Sequence, residues 1–286
     1  MRRSTAAWSA LVCGAVGALV MVGAAGAATP APDPGPADWR PIDADNSLVI
    51  DTNQGRIIVE LYHQIAPKSA ERLETLARQH FYDGLTFFRV IDTFMDQTGD
   101  PKNSGEGASS LPNIPGEFTF RRGPATPFGL VTSGAGHEVG FVGVMPVLSN
   151  PMAQGQITAD GKVVAEPLFC PGVVGIARAD DPDSGNSQFF LMRYDHPPLN
   201  GHYTAVGRVV SGLDVVRKIK LGEPVPDPQD KMLKVQVLAD MPADQRPNVK
   251  VIDTTSAYFL ALAARTKAER GSDFTACEPD VPAQVN

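Results

Sequence analysis

FYDGLTFFRVIDTFMDQTGD, residues 81–100, sets one arginine, Arg89, among phenylalanines, a tyrosine and a methionine. An unpaired charge is costly to desolvate against such rings. Arg89 therefore either carries its guanidinium out to water or has chemistry to do on something that lies over them. TFFRVI, which contains it, is aromatic and β-branched, the composition of a short strand.

Runs of the same kind recur along the chain. SLVIDTNQGRIIVELY (Ser47 to Tyr62) gives two β-rich stretches around Asn53 to Gly55, a hairpin signal. APKSAERLETLARQH then puts Pro67 at a helix start, with Ala70, Leu73, Leu76 and Ala77 on one face. PGVVGIA, SQFFLM and YTAVGRVV are further short strands broken by Gly, Pro, Asp and Asn, DVVRKIK reads as a second short helix, and KMLKVQVLA as a closing strand. This pattern predicts a mainly β fold, a closed antiparallel barrel capped by two helices. Residues of about 120–170, rich in glycine and proline with weak β character, read as an insertion on the barrel surface. Residues 242–286 read as a C-terminal extension with one helix, capped by Ser256 and ended by Gly271, whose Tyr258, Leu260, Ala261 and Ala264 should pack back on the body.

The amino-terminal segment has a different character. Arg2 and Arg3 precede an apolar run from Ala10 to Val22 that ends in small residues, so 1–27 reads as a secretory signal peptide. The run is shorter than the roughly 20 residues a bilayer span needs; the expectation is an exported, most simply periplasmic, protein with no membrane span after cleavage, an uncleaved anchor being the alternative. Residues 28–46 are dense in proline and alanine and read as a tether, which leaves 47–241 as the folded domain. Loss of Arg2 and Arg3 takes the formal charge from −7 to −9, which argues against a nucleic-acid partner. Cys170 and Cys277 survive cleavage, and either a disulfide or two separate buried thiols is compatible with the sequence.

The usual catalytic constellations fail when tested. In ADDPDSGN, counting from Asp181, the fifth residue is Gly185 and the twelfth Met192, where a calcium loop needs a bidentate Glu. Asp181 and Asp183 then read as turn residues beside Pro182. GNSQF places Phe189 where a nucleophile elbow needs its second glycine, so Ser187 is not a nucleophile. Glycines 134, 136 and 140 miss the dinucleotide spacing, and the histidines at 63, 80, 137, 196 and 202 show no metal-ligand spacing. No metal and no cofactor are expected. A reaction that breaks no bond remains.

Three segments in this order, YDGLTFFRVIDTFMDQTGDP (82–101), GVVGIARADDPDSGNSQFFL (172–191) and LNGHYTAVGRVVSGLDVV (199–216), resemble the cyclophilins, which are peptidyl-prolyl cis-trans isomerases. The resemblance covers roughly Ser47 to Met241 apart from the insertion. It implies an eight-stranded barrel with its active site on an outer face, no cofactor, and proline-containing unfolded or maturing polypeptides as partners, with a monomer expected. It assigns catalysis to Arg89, a proline pocket to Phe94, Met95, Phe190 and Leu199, positioning of the arginine and the substrate carbonyl to Gln97 and Gln188, and the binding rim to Ala177, Arg178 and Tyr203.

The chain departs from the family's usual pattern at several of these places. Phe88 stands where a histidine is usual, Asp92 and Thr93 replace Pro-Gly, Arg178 replaces an asparagine, and Tyr203 a frequent histidine. Pro198 occupies the position of a tryptophan whose indole N–H serves the cyclic peptide inhibitor cyclosporin, so weak inhibition is expected. Two functions follow from the same residues: an isomerase of exported proteins, or a chaperone or adaptor that holds proline segments with negligible turnover. Retention of Arg89, Phe94, Met95, Gln97, Gln188 and Phe190 favours the isomerase.

Overall fold

The computed structural model describes residues 33–286. The expected signal peptide and the first part of the tether lie outside the described residues. In chain order the first elements are β1 (Trp39–Pro41), β2 (Ser47–Thr52), β3 (Gly55–Leu61), α1 (Pro67–Arg78), β4 (Arg89–Val90) and β5 (Met95–Thr98). The insertion carries β6 (Phe120–Arg122), β7 (Gly129–Gly134), β8 (His137–Val142), β9 (Met145–Ser149) and β10 (Val163–Pro167). There follow β11 (Val173–Ile176), β12 (Phe189–Met192), β13 (Ala205–Ser211), α2 (Leu213–Val216) and β14 (Met232–Val237). The extension holds β15 (Val249–Ile252), α3 (Ala257–Arg270) and β16 (Ala283–Val285).

Eight strands make one curled antiparallel sheet in the order β14-β2-β3-β13-β11-β12-β5-β4. The β2–β3 hairpin turns at Asn53-Gln54, with Thr52 paired to Gly55. Gly55 has φ +138°, and a Cβ there would lie 2.9 Å from Val215 Cγ2, so only glycine lets α2 seat on the turn. Asn53 and Gln54 donate to the Asp230 carboxylate at 2.5 and 2.9 Å, which ties the turn to the loop before β14. α1 packs on β14 and buries Ala70, Leu73, Leu76 and Ala77, the i, i+3, i+6, i+7 stripe expected from its sequence. Its first turn is satisfied from a distance. Glu117 accepts from the Lys68 and Ser69 amides at 2.9 Å each, a placement the helix dipole also favours.

Several expectations are corrected. The barrel is not closed, because the strand ladder stops at β4 and β14, and only isolated bridges, Thr86 with Lys231 and Val90 with Gly222, span that side. Chemistry explains the gap: the segment facing β4 contains Pro224, Pro226 and Pro228, which have no N–H to extend a ladder. α2 is a single turn rather than the whole of DVVRKIK, since the amides of Lys218 and Ile219 bond back three residues to Val215 and Val216 and tighten the chain out of α geometry. The insertion carries more β structure than its weak β character indicated. It is a five-stranded antiparallel sheet, β6-β10-β9-β8-β7.

The tether and extension also carry more structure than their composition suggested. Residues 39–41 pair with β15, which pairs with β16, in a small third sheet. α3 keeps its expected ends, the Ser256 hydroxyl accepting from the Phe259 amide at 3.2 Å and Gly271 following with φ +56°. Its packing face differs from the expected one. Phe259 and Ala263 are buried while Leu260 is 37% exposed, because the i, i+3, i+4 stripe through Phe259, Leu262 and Ala263 lets the Phe259 ring meet Phe141 edge-on at 5.2 Å.

Buried polar groups fasten these layers to the main sheet. Arg40 donates to both oxygens of the buried Glu60 carboxylate at 2.7 and 2.8 Å, and the Tyr62 hydroxyl, itself donating to Glu60, accepts from the Val144 amide at 2.7 Å. One cluster thus joins β1, β3 and the insertion. The Cys170 and Cys277 sulfurs are bonded at 2.05 Å, linking the end of the insertion to the extension across 107 residues.

Candidate active site

Strand register builds the site. β4 pairs Arg89 with Gln97, β12 pairs Phe190 with Gln97, and β11 pairs Gly175 with Phe190. Directly opposed residues of antiparallel strands share a face, so Arg89, Gln97, Phe190 and Gly175 form one row across four strands. Alternation sends their neighbours to the other face, where Phe189 is fully buried and meets Tyr82 edge-on at 5.4 Å. The row is open over Gly175 for a reason: a Cβ there would come within 2.3 Å of Phe190 Cζ and 2.8 Å of Phe169 Cε1. The bare backbone seats both rings, which stack with centroids 5.9 Å apart.

A chain of hydrogen bonds fixes the polar half. Arg89 Nη1 donates to Gln97 Oε1 at 3.3 Å, Gln97 Nε2 donates to Gln188 Oε1 at 2.9 Å, and Gln188 Nε2 donates to the Gly105 and Gly107 carbonyls at 2.9 and 2.8 Å. On its other side Arg89 Nε donates to Glu223 Oε1 at 2.5 Å. The loop under Gln188 is organised by Asp100, which accepts from the amides of Lys102, Ser104, Gly105 and Gly107. Burial alone would raise the Asp100 pKa, and these donors hold it below the ordinary carboxylate value instead.

The apolar half lies beside it. Met95 and Leu199 are buried in the same core as Phe190, Phe94 is half-buried against His196 at 4.5 Å, and Tyr203 meets Phe190 edge-on at 6.2 Å. The Ala177 amide donates to the Gln188 carbonyl at 3.0 Å. The Arg178 guanidinium sits 4.4 Å from the Tyr203 ring centre and donates to the carbonyls of Ala179, Asp180 and His202, so it closes the rim instead of standing free. Two neighbouring clefts share Gln97: one of about 330 Å³ lined by Phe88, Arg89, Gly105, Glu223 and Pro224, and one of about 450 Å³ lined by Ala177, Arg178, Asn186 and Gln188.

Arg89, Gln97, Gln188, Phe190, Ala177, Arg178 and Tyr203 are joined here by register, hydrogen bonds or ring contacts, whereas Met95 and Leu199 are buried in the core and Phe94 rests on His196. Glu223, Asp100 and Phe169 join the site without being marked by the motifs. The glycine- and serine-rich run after Asp100 was a usable signal for an anion-type turn, whereas Glu223 reaches Arg89 across 134 residues without one. The departure at Asp92 and Thr93 has a visible support, since Arg193 donates to the Asp92 carbonyl and carboxylate at 3.1 and 3.2 Å. Asp181 accepts from the Asp183 amide at 3.0 Å, a local turn. Among the described residues no group of three His, Cys, Asp or Glu side chains could hold a metal ion, and no helix is long and apolar enough to cross a membrane.

The site is thus a polar row led by one arginine beside an aromatic pocket, on the outer side of a curled antiparallel sheet. Residues 47–238 match the family described as cyclophilin type peptidyl-prolyl cis-trans isomerase/CLD, and the chain belongs to that family. It is 34% identical over 214 residues to a probable peptidyl-prolyl cis-trans isomerase of Brucella suis biovar 1 (strain 1330), covering 69% of this chain and 85% of that protein. A peptidyl-prolyl cis-trans isomerase-like 1 of Aspergillus oryzae is 29% identical over 197 residues, covering 68% and 96%. Among solved structures, the cyclophilin AquaCyp293 from Hirschia baltica superposes with a TM-score of 0.80 at 31% identity, covering 87% of this chain and 94% of that one. The activity of the chain is peptidyl-prolyl cis-trans isomerisation.

Proposed function

We propose that the chain accelerates rotation about X-Pro bonds in exported polypeptides as they fold, with Arg89 as its catalytic residue. The observation that carries this reading is the register that sets Arg89, Gln97 and Phe190 in one row. A peptide bond resists rotation by ~18–20 kcal/mol because the nitrogen lone pair is delocalised into the carbonyl. In the twisted state that lone pair is localised on nitrogen and becomes an acceptor. With Phe94, Met95, Phe190 and Leu199 gripping the ring and Gln97, itself anchored by Gln188, holding the guanidinium in place, Arg89 donates to that nitrogen in the twisted state only. Such differential binding raises the rate, each ~1.4 kcal/mol giving about tenfold. The rotation requires no cofactor, and one copy of the chain supplies the whole row.

The site's test is a protease-coupled assay on a short proline peptide. The cis-to-trans rate should rise in proportion to the amount of chain added; saturable peptide binding without acceleration would instead make the protein a holder of proline segments. Export rests on the pattern of residues 1–27 and on the paired cysteines, since a disulfide persists in an oxidising compartment such as the periplasm. Non-reducing peptide mapping of protein taken from that compartment should recover a linked Cys170–Cys277 peptide, and two alkylatable thiols would count against it.

Pro198 sets the response to cyclosporin in this reading. It is exposed in the turn Pro197–Leu199 at the edge of the proline pocket, and it has no N–H to donate and no broad ring. The one described tryptophan, Trp39, packs with Phe141, Ile252 and Phe259, not over Pro198. Inhibition should be weaker by about one to two orders of magnitude than with a tryptophan there. Titration of wild type and Pro198→Trp decides it, nanomolar inhibition of the wild type or no gain in the variant being the contrary result.

A further inference from the structure

We infer that Glu223 is a positioning residue for the isomerase reaction, holding the Arg89 guanidinium so that its Nη edge faces the substrate; the inference rests on Arg89 being the catalytic residue. The guanidinium is held from two directions. Gln97 takes Nη1 at 3.3 Å, and Glu223 takes Nε at 2.5 Å. Nε fixes the rotation about the last side-chain bonds, so a carboxylate there sets the plane of the whole planar fork. Without it Arg89, 36% exposed at its side chain, has a single neutral partner and several staggered conformers within reach.

The loop that brings Glu223 to this place is hydrogen-bonded on both sides of Arg89. The Val90 and Gly222 backbones exchange hydrogen bonds of 2.8 and 2.9 Å, so the residue after Arg89 is bridged to the residue before Glu223. The Val225 amide donates to the Phe88 carbonyl at 2.9 Å, which fastens the loop again on the other side of Arg89. Behind it, Lys220 Nζ donates to the Pro226 and Pro228 carbonyls at 2.8 and 3.1 Å, and the Lys220 amide donates to Asp230 at 2.8 Å. Glu223 is thus delivered by a braced segment, although its own side chain is 55% exposed. Exposure makes the pair worth little to stability, so its consequence is expected in orientation.

The test compares Glu223→Ala, Glu223→Gln and Arg89→Ala in the full chain by proline-peptide kinetics, thermal melting and NMR of the Arg89 Nε–H resonance. Glu223→Ala should lower kcat by about tenfold, the factor that ~1.4 kcal/mol of transition-state stabilisation represents, with KM and the melt little changed. Its Arg89 Nε–H signal should move from the downfield position of a carboxylate-bonded group. Glu223→Gln, which keeps an acceptor, should recover part of kcat. Arg89→Ala should lose nearly all activity, with no further loss on adding Glu223→Ala. If Arg89→Ala is inactive but Glu223→Ala keeps the wild-type kcat, or exceeds it, Glu223 does not position Arg89. If Arg89→Ala itself keeps wild-type activity, the catalytic assignment fails, a separate result.

Discussion

Arg89→Ala is expected to lose about two orders of magnitude in kcat/KM while its thermal melt stays within a degree or two of wild type. The size follows from removing a charged donor that binds the twisted state: hydrogen bonds to charged groups are worth about 1.5–3 kcal/mol, or roughly ten- to more than a hundredfold in rate. The small stability effect follows from place. Arg89 stands at the edge of the sheet with its side chain 36% exposed and an exposed carboxylate as its ion-pair partner, and substitutions at such positions usually stay within about 0.5 kcal/mol. A melt lowered by ten degrees would mean that Arg89 is structural.

The opposite balance is expected at Arg193. Its guanidinium is 3% exposed and donates to Asp96 Oδ1 at 2.9 Å, to the Asp92 carbonyl and carboxylate, and to the Val216 and Arg217 carbonyls. One side chain therefore ties the β4–β5 turn, which presents Phe94, to the end of α2. Arg193→Met leaves the fully buried Asp96 carboxylate without a charged partner and should cost about 3–5 kcal/mol at pH 8. Denaturant melts measure it, and a loss below 1 kcal/mol would contradict the structure at this point.

The cost should depend on pH in a definite direction. Burial pushes the Asp96 pKa up from 3.8 to about 7, against the pull of Arg193 and with Asp92 and Asp230 adding to the rise; Asp96 Oδ2 has no hydrogen-bond partner. Between those two values the folded state holds a proton that the unfolded chain releases, so this group's contribution is complete below pH 3.8 and is lost as pH rises through 7. At pH 5 Asp96 is protonated in the folded protein, and removing Arg193 should cost less than at pH 8. An equal or greater cost at pH 5 would show that Asp96 stays charged.

What the sequence disclosed about the fold was local. The hairpin at Asn53 to Gly55 and the buried stripe of α1 depend on residues within a turn or two of one another, and both stand where their patterns indicated. The features that differ from the sequence pattern depend on partners far along the chain. The ladder stops where three prolines face β4, the sheet of the insertion is tied to the main sheet by Tyr62 and Arg208, which bond the amide and carbonyl of Val144, and α3 turns toward Phe141. For the site, motif order placed the row, but the contact of Glu223 with Arg89 and the four-amide cradle of Asp100 depend on loop conformations that residue types alone do not specify.

The central claim is that a forked guanidinium at position 89, rather than the pocket alone, drives the rotation. Exchange NMR on a proline peptide with distinct cis and trans resonances measures this directly, with catalytic amounts of wild type and of Arg89→Lys, which keeps the charge but not the fork. The account predicts cis-trans exchange on the millisecond to second scale with wild type, against tens to hundreds of seconds for the free peptide, and a loss of most of that acceleration with lysine. Equal exchange rates for the two proteins, or none with wild type, would contradict it.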